Sequence, residues 1–131
     1  MEFKYDNEVL ETFIEEAEDR VSEIESGLLG LERAGLDAEP ELIHGAFRAA
    51  HSLKATANLL GFKHIEELSH QMEDILEMFR NHELVPDDRT VAVLFEGLDR
   101  IQELLEDLEQ SDAMDISLQA ESLAQVTKPC S

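Results

Sequence analysis

The chain has no tryptophan, one tyrosine, one cysteine, three prolines and six glycines in 131 residues. A single cysteine, Cys130, excludes an internal disulfide framework and a zinc site made of thiolates. Scarce glycine and proline leave few places for turns, so long regular elements are expected. Basic residues are also few: ten Lys and Arg stand against 31 Asp and Glu, a formal charge of −21. Such a surface repels phosphate backbones and anionic lipid, so nucleic acid and membrane are not expected partners. No apolar run approaches the ~20 residues that span a bilayer. The first residues do not read as a signal peptide, and the expected location is the cytoplasm. A glycine-rich ATP lid, an Asp-x-Gly-x-Gly box and a Walker-type loop are all missing, so the chain carries no ATP site of a recognisable kind.

What is present is helical. Hydrophobic residues make up 43% of the chain, enough for one core. Leu10, Phe13, Ile14, Ala17, Val21, Ile24, Leu28 and Leu31 recur at three- and four-residue steps, predicting a helix over about 7–33. Gly35 closes it, and Pro40 suits the first turn of a second helix over about 40–60, stopped by Gly61. A third is predicted over about 63–81, with Ile65, Leu68, Met72, Ile75 and Phe79 inward. Residues 82–88 read as a loop. A fourth helix over about 88–109 turns Val91, Leu94, Leu98, Ile101, Leu105 and Leu108 inward. A shorter fifth, over about 112–126, would use Ile116, Leu118 and Leu123, and residues 128–131 read as a disordered tail. Short joins make neighbours antiparallel, so the expected fold is all-α: an up-and-down four-helix bundle over about 7–110 with one extra helix, forming a single domain over 1–127.

One stretch departs from the acidic background. Residues 42–65 contain no Asp or Glu and carry Arg48, Lys54 and Lys63. At their centre is His51, with Lys54 one helical turn later. On a helical wheel Lys54, Ala55 and Asn58 lie within about 60° of His51, while Leu42, Ala46, Leu53 and Leu60 fall on the far side. His51 therefore points to solvent, in a local gap of negative charge that suits a transient anion. The gap is read as the seat of a phosphoryl group on His51.

The run Phe47-Arg48-Ala49-Ala50-His51-Ser52-Leu53-Lys54 resembles the histidine phosphotransfer (HPt) family, and most closely the N-terminal phosphotransfer domain of CheA-type chemotaxis histidine kinases. The family pattern is His-x-x-Lys-Gly, then small residues and a further Gly; here Ala55 replaces the first Gly, and Ala57 and Gly61 follow. The methyl of Ala55 intrudes slightly on the face where a partner would dock. The resemblance covers about residues 6–110. It implies that His51 takes the phosphoryl group on Nε2, that Lys54 offsets its charge, and that Glu73 orients the ring by accepting from Nδ1. His70 would hydrogen-bond near the same pair. It further implies two partners: a histidine kinase catalytic domain supplying ATP and magnesium, and a response-regulator receiver domain supplying its own Asp and metal. No cofactor and no metal are expected in this domain, which reads as a phosphocarrier or a kinase's substrate domain, excised or free-standing, and monomeric in isolation. Phe47, Ala55, Asn58, Leu59 and Gly61 are the expected docking residues. His44, His64 and His82 have no constellation around them and read as surface.

Two other classes compete. A carboxylate-bridged di-metal bundle needs Glu-x-x-His pairs on two helices with inward glutamates; only His70-x-x-Glu73 is present, in the reverse order, and the inward positions are apolar. A helical adaptor would make no use of His51.

Overall fold

A computed structural model describes residues 6–127. The expected tail at 128–131, Cys130 included, lies outside them. Helices α1 (Asn7–Ala34), α2 (Pro40–Leu60), α3 (Lys63–Arg80) and α4 (Asp88–Glu106) are followed by a shorter α5 (Ser117–Thr127). Among the described residues there is no strand.

The helix ends have local causes. Asp6 accepts a hydrogen bond from the Val9 N–H at 2.9 Å, and Asp87 accepts one from Thr90 at 2.9 Å, each satisfying a donor that the first turn leaves open. Pro40 occupies the first turn of α2, where its missing N–H costs nothing. Gly61 ends α2 at φ 84°, a left-handed conformation that disfavours a side chain.

α1 packs against α2 and α4, and α3 packs against the same two, closing a ring of four neighbours in an up-and-down bundle. The inward stripe expected for α3 is buried in full: Ile65, Leu68, Met72, Ile75 and Phe79. The stripe of α2 is small, with Ala46, Ala49, Ala50 and Ala57 around Leu53, so its neighbours approach closely. At Gly27 of α1 an added β-carbon would lie 2.9 Å from the Ala46 β-carbon and 3.1 Å from the Leu42 carbonyl oxygen. A Gly27→Val chain is therefore expected to lose about 1–3 kcal/mol, because the α1–α2 seam must open. Gly45 is the control: nothing lies within 4 Å of its added β-carbon. Gly45→Ala should gain about 0.5–1 kcal/mol from helix propensity. Thermal melts of the two variants that shift the same way would refute this account of the seam.

Two boundaries differ from the sequence expectation. α4 stops at Glu106 rather than near 109, and residues 108–113 form a 3₁₀ segment. There the Ser111 hydroxyl donates to the Leu108 carbonyl at 2.8 Å, and short polar side chains compete with the helical ladder. α5 starts at Ser117, not near 112, because Asp115 turns the chain and accepts from the Ser117 N–H at 2.9 Å. Ile116 and Leu123, seven residues apart, are buried, while Leu118, expected inward, is 74% exposed, because at about 100° per residue it falls on the opposite side from both. α5 packs on α3 and α4. The 3₁₀ segment also caps α3, whose own preceding residue supplies no side-chain acceptor. Asp112 accepts from the His64 N–H at 3.0 Å and the Lys63 N–H at 3.3 Å.

Candidate functional site

His51 stands on the outer wall of α2, its side chain 59% exposed. Across the seam, α3 presents Glu73 beside its apolar stripe, with a side chain only 8% exposed. A carboxylate so buried needs partners for both oxygens. One oxygen, Oε2, is hydrogen-bonded to His51 Nδ1. The other, Oε1, accepts from Lys54 Nζ at 2.7 Å. The alanines of α2 permit this reach, since bulkier residues would hold α3 too far away.

Burial pushes the Glu73 carboxyl up, but the hydrogen bonds from Lys54 and His51, with their charges, outweigh it and hold the group below the usual glutamate range. Glu73 is then an anion at neutral pH and can only accept. The proton of the shared bond must sit on Nδ1, which leaves Nε2 of a neutral ring with its lone pair facing solvent. This arrangement offers one oriented nucleophilic nitrogen, the task a carboxylate performs behind other catalytic histidines. The depressed value also sets a pH dependence. The stabilisation from Glu73 is complete above the ordinary glutamate range and is lost as pH falls through its lower folded value. In a carbon-13 titration of side-chain carboxyls, Glu73 should titrate below the exposed glutamates. A midpoint at or above theirs would contradict the assigned charge state.

Lys54 differs from expectation in its surroundings. The wheel gives an exposed cation, yet its side chain is 25% exposed and tied to Glu73. The ammonium is part of the buried network while remaining one turn from His51. His70 does not join the pair. Its Nε2 lies 3.7 Å from Asp74 Oδ1, and among the described residues it makes no hydrogen bond to His51 or Glu73. His70 lies three residues before Glu73 on the same helix, a spacing that would allow contact, but its side chain is 58% exposed and its Nε2 is on the Asp74 side. His70, Glu73 and Asp74 do bring ligand-type atoms within 4.8 Å of one another. Glu73 already engages both oxygens elsewhere, so the trio is a weak candidate for a cation.

The expected docking residues are spread around His51. Ala55 and Gly61 are exposed. Leu59 is 77% exposed, beside Val9 of α1, and borders a shallow apolar depression. Asn58 is exposed, but its amide donates to Glu66 of α3. Phe47 is half-buried, its ring within 15° of parallel to the His51 imidazole with centroids 6.4 Å apart. Arg80, which sequence reasoning missed, lies with its guanidinium carbon 4.2 Å from the centre of the Phe47 ring. Its only signal was helical spacing, seven residues after Glu73 on the same face. His64 is likewise no plain surface residue: its Nδ1 is 3.0 Å from the Ser111 carbonyl.

This geometry has counterparts. The Hpt domain family model matches residues 8–111. Over 98 residues the chain is 34% identical to chemotaxis protein CheA of Rhizobium meliloti (strain 1021), a match covering 75% of this chain and 13% of that relative. The chain thus spans only a small part of the relative's length. The solution structure of the histidine phosphotransfer domain of CheA is similar with a TM-score of 0.81 and 27% identity, covering 96% of each chain. The CheA phosphotransferase domain from Thermotoga maritima is similar with a TM-score of 0.72 and 34% identity, covering 77% of this chain and 94% of that one.

Proposed function

The chain belongs to the Hpt domain family, and from that premise we propose that His51 is its phosphoryl acceptor and donor. Nε2 attacks the terminal phosphorus of ATP held by a histidine kinase catalytic domain. The N–P bond forms as the P–O bond to ADP breaks, and the ring gains positive charge that Glu73 offsets through Nδ1. Phosphoryl transfer asks mainly for position and charge stabilisation. Lys54, already beside the ring, would turn part of its charge toward the phosphoryl oxygens. In the second step an Asp of a receiver domain attacks phosphorus, and the N–P bond breaks. ATP and magnesium belong to the kinase in the first step and the receiver supplies its own Asp and metal in the second, and the setting is a cytoplasmic signalling pathway of the chemotaxis type. No helix among the described residues is long and apolar enough to cross a membrane.

The observation that carries this reading is the exposed His51 whose Nδ1 is held by a buried, lysine-paired carboxylate. The test is labelling with ATP. The chain with ATP alone should stay unlabelled. Addition of a chemotaxis-type kinase core should place one label, lost in acid and stable in base, as a phosphoramidate is. A receiver domain should then remove it. A label that survives acid would overturn the proposal.

A further inference from the structure

At the end of the bundle away from Leu59, the α1–α2 join, the start of α2, the end of α3 and the α3–α4 loop enclose a pocket of about 310 Å³. That is the lower end of the size range of small-ligand sites. Its apolar wall includes Ile43, Phe79, Leu84, Val85 and Pro86. Its polar groups are His44, Arg80 and His82. Asp37, Glu39, Glu41 and Glu83 belong to the same segments, yet none of them lines it. Four other depressions on the described surface each carry a glutamate: Glu18 in one, Glu23 in a second, and Glu16 in the remaining two. In a chain of charge −21 an acid-free pocket with a guanidinium and two imidazoles is a local exception.

The backbone adds a second, independent observation. His82 is the one non-glycine residue with positive φ among the described residues, at 59°. It stands just past α3, where its N–H donates to the Phe79 carbonyl at 3.2 Å and the next N–H, from Glu83, to the Met78 carbonyl at 2.8 Å. Helices that end in this double bond normally place glycine at the left-handed position. A side chain there costs about 1 kcal/mol or more. Here that side chain is an imidazole lining the pocket. Arg80 is suitably disposed as well. Its guanidinium carbon lies 4.2 Å from the centre of the Phe47 ring, and the ion partner it has among the described residues, Glu77, stands at a long 3.9 Å.

We propose that this pocket binds a small amphipathic carboxylate, its apolar body against Phe79, Leu84 and Val85 and its anionic head on Arg80, with N–H donors from His44 and His82. The site is separate from His51, so it stands or falls independently of the phosphotransfer reading. The test follows the imidazole and methyl resonances of the whole chain during titration with 3-phenylpropionate, with 3-phenylpropan-1-ol as the uncharged match. The carboxylate should give saturable shifts at His44, His82 and Val85. The alcohol should bind about fivefold more weakly or worse, the loss expected for one partly exposed charge contact. Arg80→Gln should weaken the carboxylate by a similar factor. His82→Gly, which relieves the backbone, should weaken it without lowering the melting temperature. Absence of saturation, equal binding of the alcohol, or indifference to Arg80→Gln would each overturn the proposal.

Discussion

A His51→Gln chain is expected to take no phosphoryl label from a kinase core, at any time or ATP concentration, and to melt as the parent does. The loss is complete because the reacting atom is removed: glutamine's amide nitrogen has no available lone pair, and among the described residues no other histidine is hydrogen-bonded to a buried carboxylate, His70 lying 3.7 Å from the exposed Asp74. The fold is spared because the side chain is 59% exposed and the glutamine amide N–H can still donate to Glu73 Oε2, so the buried carboxylate keeps a partner for each oxygen. Persistent label in this variant would move the acceptor elsewhere. A large drop in melting temperature would mean that His51 is structural first.

Glu73→Gln is expected to slow phosphorylation by about 10²-fold, the scale of losing an oriented proton-handling partner. Lys54 decides which way the new amide turns. Its ammonium donates, so it will hold the amide oxygen of the new glutamine and turn the amide N–H toward His51. Nδ1 must then accept, the ring proton moves to Nε2, and the nucleophilic lone pair is lost from the exposed face. Nitrogen-15 shifts of the imidazole should report this tautomer change directly. A wild-type rate together with a switched tautomer would remove the proposed role of Glu73. An unchanged tautomer with a slowed rate would leave charge, not orientation, as its contribution. The variant should also lose about 1–3 kcal/mol, because the charged partner of a part-buried ammonium has been replaced.

The same geometry corrects the expectation for Lys54. As an exposed cation it would contribute ~1 kcal/mol or less to folding. Tied at 2.7 Å to a carboxylate that is 8% exposed, it supports a buried charge, and its removal leaves that charge half compensated.

Legibility was high wherever a single helix decides the outcome. The inward stripes of α1 and α3 follow from steps of three and four residues, and the exposure of His51 follows from its angle to Leu53 and Leu60. Legibility failed at 107–117, where Ser111, Asp112 and Asp115 bond to backbone groups and replace helical turns by local ones. The expected place of His70 failed for another reason. Proximity in sequence to Glu73 does not say which way a ring turns when an exposed Asp74 lies one turn along.

By itself the chain determined that α2 is a helix, that its acid-free face carries His51 and Lys54, and that its opposite face is built of alanine and leucine. Those facts depend on the rotation between successive residues of one element, which is constant. Tertiary structure alone decided that Oε2 of Glu73 meets Nδ1, that Lys54 is shared with that carboxylate, that Arg80 covers Phe47, and that Asp112 caps α3 from 48 residues away. Each of these depends on how far one helix slides and turns against another. That offset is set by the bulk of side chains packed between them, and no spacing along a single helix encodes it.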